Sequence, residues 1–133
     1  MTKKYYTLEE ATAILPEVKK AVSEIRSMDQ SRLEKQKAYS ELMLAVASNG
    51  GDFSEAYLLK LTKSLDRAER QLRRLIGNLQ RRFSCEVKGL SPLLVDFYTV
   101  RDGREVYLCW KEGEDEIAHW HDLDAGFAGR RPI

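Results

Sequence analysis

LLVDFYTVRDGREVYLCWKEGEDEIAHWHD, residues 93–122, decides the fold. Aromatic and β-branched residues dominate both sides of Asp102-Gly103, a dipeptide suited to a two-residue turn that needs positive φ. The spacing predicts a strand from Leu93 to Val100 and a second from Glu105 to Trp110. A charged loop follows at Glu112 to Glu116, then a strand from Ile117 to Asp122. Upstream, Cys85 to Leu90 reads as one more strand, broken by Ser91-Pro92. The expected sheet is therefore a four-stranded antiparallel meander over 85–122.

Register follows from the turn. With Asp102-Gly103 at its centre, Arg101 faces Arg104, and Tyr98–Tyr107, Phe97–Leu108, Asp96–Cys109 and Val95–Trp110 become partners. A five-residue second loop sets Trp120 against Leu108 and His119 against Cys109. One face then collects Val95, Phe97, Val106, Leu108, Trp110, Ala118 and Trp120, which must pack on something apolar. The other collects Asp96, Tyr98, Glu105, Tyr107, Cys109, Ile117, His119 and His121, a polar face open to chemistry.

The chain ahead of the sheet is helical. Thr7-Leu8-Glu9-Glu10 is a capping box, in which Thr7 and Glu10 each satisfy the other's amide. Pro16 falls two turns later, so a short helix ending near Ile14 and a restart around Pro16 are expected. Val18, Val22, Ile25 and Met28 keep helical spacing, the stripe thins from Asp29 to Ala38, and Asn49-Gly50-Gly51 stops the helix. Asp52 or Ser54 caps the next one. Its apolar residues, Leu58, Leu61, Leu65, Ala68, Leu72, Leu75 and Leu79, alternate steps of three and four as in a coiled-coil seam. The short connection makes the two helices antiparallel neighbours. The expected class is α+β with two layers: a long helical hairpin (7–83) on one face of the meander (85–122), with residues 123–133 as a tail, all in one domain, 1–133.

Composition excludes several classes. The 133 residues are 43% hydrophobic and 32% charged, which fits a soluble globular chain rather than a disordered one. The net charge of +1 supplies no global field toward nucleic acid or membrane. Two cysteines make no disulfide framework, and with no apolar leader or spanning run the expected location is the cytoplasm.

Candidate chemistry gathers on the polar sheet face. His119 and His121 project from the same side of one strand, and Cys109 and Asp96 would complete a tetrahedral N/S/O set for zinc or another divalent metal; no other cofactor is expected. The bland alternative is polar surface with a packed cysteine. Cys109 beside His119 could form a thiolate–imidazolium pair, yet a mid-strand cysteine is more often filler, so enzymatic activity stays open. A wider ligand set on this face is Asp96, Tyr107, Cys109, Glu114 and His121, with Arg130 as an anion contact. The tail glycines otherwise let it turn back so that one arginine pairs with Asp122 or Asp124. The second helix carries eight basic residues against three acidic ones between Ser54 and Phe83. Lys60, Lys63, Arg67, Arg70 and Arg74 lie opposite the leucine seam and could track a phosphate backbone, although such a stripe is usually only a solvated helix face.

The run YTLEEATAILPEV, then LVDF, then REVYLCW, GEDEI, WH and DAGFAGRRPI, resembles a bacterial family of unknown function, numbered 2203, across nearly the whole chain. The resemblance implies no activity. The pattern matches at Asp96, Phe97, Cys109, Trp110, Gly113, Glu114, Trp120, His121, Gly126, Gly129 and Arg130. His119 departs from it, which leaves His121 as the better site residue. The leading functional expectation is a non-enzymatic interaction module that self-associates, as a dimer, through the open sheet face or through the hairpin, whose seam is too regular for its thin partner helix to cover. The alternative is a metal or small-ligand site around His121, Asp96 and Cys109. RNA binding by the basic helix face comes third.

Overall fold

A computed structural model describes residues 3–48 and 53–133. Helix α1 spans Leu8–Ser48 and α2 Glu55–Phe83. Strands β1 (Cys85–Lys88), β2 (Leu94–Arg101), β3 (Arg104–Lys111), β4 (His119–Asp122) and β5 (Arg131–Pro132) follow, with a 3-10 turn at Phe127–Gly129. The sheet is antiparallel throughout, in the order β1-β2-β3-β4-β5. The α+β class is as expected, and the tail adds a fifth strand. Beside it, the amide of Ile133 reaches the carbonyl of Ala118 at 3.0 Å.

The chain divides into two compact units, Met1–Ser23 with Ile76–Ile133, and Glu24–Leu75. In the first, α1 starts on the capping box: the Thr7 amide donates to Glu10 Oε1 at 3.0 Å and the Glu10 amide to Thr7 Oγ1 at 3.1 Å. Pro16 does not break α1, contrary to expectation. Ala11, Leu15, Val18 and Val22 are buried in one continuous stripe while Pro16 and Thr12 are exposed. The carbonyl left without a donor therefore faces water, and packing on both sides of the proline keeps the helix in phase. The apolar sheet face is buried as read: Val95, Phe97, Val106, Leu108, Trp110 and Trp120, with Leu79 and Phe83 of α2 and the α1 stripe as their apolar counterparts. Tyr6 fastens the chain before α1 to the sheet. Its ring meets Phe97 edge-on at 5.4 Å, its amide donates to the Tyr98 carbonyl at 2.7 Å, and its hydroxyl donates to the Phe83 carbonyl.

The β2–β3 register is the expected one at every position, and Leu108–Trp120 and Cys109–His119 pair as expected. Asp102 and Gly103 take φ of 52° and 74°, the left-handed pair that this turn requires. Strand β1 stops at Lys88, short of Leu90, because Gly89 turns at φ 75°.

The second unit holds the remaining turns of both helices. Ser54 is the cap of α2: its Oγ accepts from the Tyr57 amide at 3.2 Å. The Asn49-Gly50-Gly51 stop and Asp52 lie outside the described residues. The seam is not left bare, which corrects the premise for self-association. Leu61, Ala68 and Leu72 are buried, and Leu58, Leu65 and Leu75 are half-buried. Where α1 lacks large apolar residues, Arg32, Lys35 and Gln36 are half-buried, and the aliphatic stems of such side chains cover apolar surface. Asp29 occupies a buried position of the α1 stripe and is held by Arg26 at 3.1 Å and Arg32 at 2.8 Å.

Candidate metal centre

The second sheet face is buried rather than open. Asp96, Cys109 and His121 retain 1%, 0% and 2% exposure. The face is covered by its own large side chains and by the tail. The hydroxyls of Tyr98 and Tyr107 donate to Glu86 at 2.8 and 2.9 Å, and Lys88 sits over the Tyr107 ring. From the tail, Arg130 Nη2 donates to the Cys109 carbonyl at 3.3 Å, and the Phe127 ring lies beneath the cations of Lys111 and Arg130. A polar alternation on strands leaves a face solvated only when nothing folds back over it, and here the tail does.

Three strands aim one donor each at a common point. Asp96 on β2 faces Cys109 on β3, and His121 on β4 stands diagonally beyond. Their ligand atoms all lie within 4.8 Å of one another. Tetrahedral coordination with bonds of about 2.0–2.3 Å holds its ligand atoms roughly 3.2–3.8 Å apart, so small side-chain rotations close the set.

Proton bookkeeping constrains the site further. His121 Nδ1 lies 2.8 Å from the Asp122 carbonyl, which can only accept, so Nδ1 carries a hydrogen. Nε2 lies 3.0 Å from Asp96 Oδ1, and that contact shares a single proton between carboxyl and imidazole. A backbone carbonyl that accepts from Nδ1 fixes the ring with Nε2 facing inward, as metal-binding histidines are commonly held. Asp96 Oδ2 is buried and lacks a hydrogen-bond partner. Burial raises the Asp96 carboxyl above the usual aspartate range, and the nearby imidazole and thiol oppose that rise. Burial, reinforced by Asp96, pushes the Cys109 thiol up to about 12. The neutral group is therefore a thiol, an imidazole and one shared proton. Loss of two protons would leave a dianionic N/S/O set matched to one dication.

The other nominated residues fall around this point. Tyr107 packs its ring 5.3 Å from that of His121, and its hydroxyl turns away to Glu86. His119 is not in the cluster; its Nδ1 lies 3.5 Å from Glu114 Oε2. Arg130 pairs with Glu114 at 2.5 Å, not with Asp122 or Asp124 as expected, since Arg104 takes Asp122. Glu114 also accepts from the Lys111 amide at 2.7 Å, and its carbonyl accepts from Trp110 Nε1 at 2.9 Å. Burial opposes the Glu114 charge, but Arg130 and the Lys111 amide hold its carboxyl below the ordinary glutamate value. Glu86 and Lys88 were missed by sequence reasoning. The pairing Glu86–Asp96 places Glu86 on this face, and only the β1–β2 register, hidden by the Gly89–Pro92 turn, could have revealed it.

The basic stripe of α2 is exposed at Lys60, Lys63, Arg67, Arg70 and Arg74. In the second unit, Lys35, Arg67, Arg70 and Arg74 line a groove of about 530 Å³. Asp66 pairs with Arg70 there at 2.7 Å, and Gln71 accepts from Arg74 at 2.8 Å.

No helix among the described residues is long and apolar enough to cross a membrane. No curated protein and no solved structure matches the chain. The chain belongs to the family of uncharacterized conserved proteins DUF2203, whose model matches residues 4–133.

Proposed function

We propose that this DUF2203 member is a divalent-metal-binding protein whose ion, zinc or one of similar borderline softness, is held by Asp96, Cys109 and His121. The observation that carries the reading is the convergence of one carboxylate, one thiol and one oriented imidazole within 4.8 Å at a buried point. The orphaned Asp96 Oδ2 supports it, because a buried acceptor without a donor costs about 1–3 kcal/mol unless something occupies it. The donor set suits zinc, and three protein donors leave the fourth tetrahedral position to another ligand. The ion would tie β2, β3 and β4 together. Both cysteines are free thiols, and we place the protein in the reducing cytoplasm.

Cobalt(II) titration tests the reading. We expect saturation at one ion per chain, with a near-ultraviolet thiolate-to-metal band that disappears in Cys109→Ser. Saturable binding without that band would reject the assigned donor set.

Self-association is a second reading. The second unit exposes Leu33, Leu44, Tyr57 and Leu59, at 48%, 69%, 50% and 56%. These residues, rather than the covered seam, would join two copies. Sedimentation of a dimer that Leu44→Glu with Leu59→Glu converts to monomer supports it; a monomer of the unaltered chain at about 100 μM, weaker than the micromolar range of ordinary specific complexes, rejects it.

A further inference from the structure

The apolar face of the sheet carries a charge imbalance at its outer edge. Arg101 at the end of β2 and Arg131 on β5 both hold their guanidinium carbons over one indole ring, that of Trp120, at 4.8 and 5.3 Å from its centroid. Register explains the meeting: Trp120 pairs with Arg131 across β4–β5, while Arg101 shares the odd-numbered face of β2 that Thr99 and Phe97 occupy. A third arginine of this edge, Arg104, is neutralised by Asp122. Neither Arg101 nor Arg131 has a carboxylate partner among the described residues. Of the two, Arg101 also lines the groove beside the ring, where its unpaired guanidinium can meet an anion.

The surroundings are apolar. A groove of about 370 Å³ runs beside Trp120, lined by Tyr5, Leu8, Val100 and Ile133 along with Arg101. Tyr5, Leu8, Val100 and Ile133 are all exposed large side chains. Small-molecule sites have this character: a mostly apolar wall, a few convergent polar groups, and a volume of about 300–1,000 Å³. The planar fork of arginine matches a carboxylate.

We infer that this groove binds a small organic acid, a carboxylate on an aromatic or short aliphatic body, with Arg101 taking the carboxylate and Tyr5, Leu8 and Val100 taking the body. The groove opens on the Trp120 face of the sheet and the metal centre lies on the opposite one, so either can fail without the other.

The test uses 2-naphthoate as probe on the full chain, followed by calorimetry and amide chemical shifts. We expect one naphthoate per chain with Kd below about 1 mM, and shifts concentrated at Tyr5 to Leu8 and at Val100 and Arg101. The uncharged 2-naphthamide should bind at least tenfold more weakly, and Arg101→Gln should weaken naphthoate at least tenfold. Absence of saturable binding overturns the inference. So does equal affinity for the amide, measured on the unaltered protein and independent of how the variant folds. Inorganic phosphate bound as tightly as naphthoate also overturns it, since the apolar wall would then contribute nothing.

Discussion

Asp96 and His121 are buried to 1% and 2% exposure and meet at 3.0 Å, so the energy of each is conditional on the other. Removing either side chain strands its partner at a position sealed from bulk solvent. Breaking a buried charged pair by deleting one member costs about 3–5 kcal/mol, and stranding a neutral buried polar group about 1–3 kcal/mol. The single proton shared by Nε2 and Oδ1 makes the pair one interaction in either form. We therefore expect Asp96→Ala and His121→Ala each to cost about 3 kcal/mol in metal-free, chelator-treated buffer. For a chain of this length, that is a fall in Tm of roughly 10 °C or more. The double variant should cost little more than the worse single one, giving a coupling of about 2 kcal/mol or more. Urea unfolding of the four proteins at pH 7 closes the cycle. Additive losses, with coupling below about 0.5 kcal/mol, would refute the view that the two side chains form one unit.

Other outcomes follow from the same geometry. The Cys109 thiol, pushed up to about 12, and the proton shared by His121 and Asp96 must both give way to a metal. Zinc binding near pH 7 should then release about two protons and tighten as pH rises, measured by calorimetry in buffers of different ionisation enthalpy. Cys85 is likewise pushed up to about 12 by burial. Neither thiol should react with an aromatic disulfide reagent at pH 8 until the protein unfolds, and rapid labelling of the native chain would contradict their burial. The Glu114 carboxyl is held below its ordinary 4.5, so its contribution is fully present above 4.5 and is lost as pH falls through the lower folded value. Glu114→Gln should cost about 1.5–3 kcal/mol at pH 7, the range for charge-assisted hydrogen bonds, and progressively less in acid. A cost that does not change between pH 7 and pH 3 would count against the Arg130 pairing.

How far the sequence could be read depended on which interactions are local. Turn chemistry at Asp102-Gly103 fixes β2 against β3, and alternation then assigns each side chain to a face, so the proximity of Asp96, Cys109 and His121 was legible. The burial of that face was not. It depends on residues 123–133 turning back, with Arg130 drawn to Glu114 and Phe127 stacked against two cations, and neither pairing has a short-range signature. Glu86 escaped for a related reason, since the turn from Gly89 to Pro92 hides the β1 register. At Pro16, local propensity read the wrong outcome because a buried stripe in phase on both sides outweighs one missing hydrogen bond. On α2 the leucine seam was legible, but not the half-buried Arg32, Lys35 and Gln36 beside it, because polar residues with long stems read as solvent-facing.

The most direct measurement is native mass spectrometry of the full chain after one equivalent of zinc and desalting. We expect one zinc retained per chain in the unaltered protein, and none in Cys109→Ser or His121→Ala, with the same spectra giving the oligomer mass. An unaltered chain that emerges metal-free, or a Cys109→Ser chain that keeps its zinc, would contradict the assignment of Asp96, Cys109 and His121 as the metal centre.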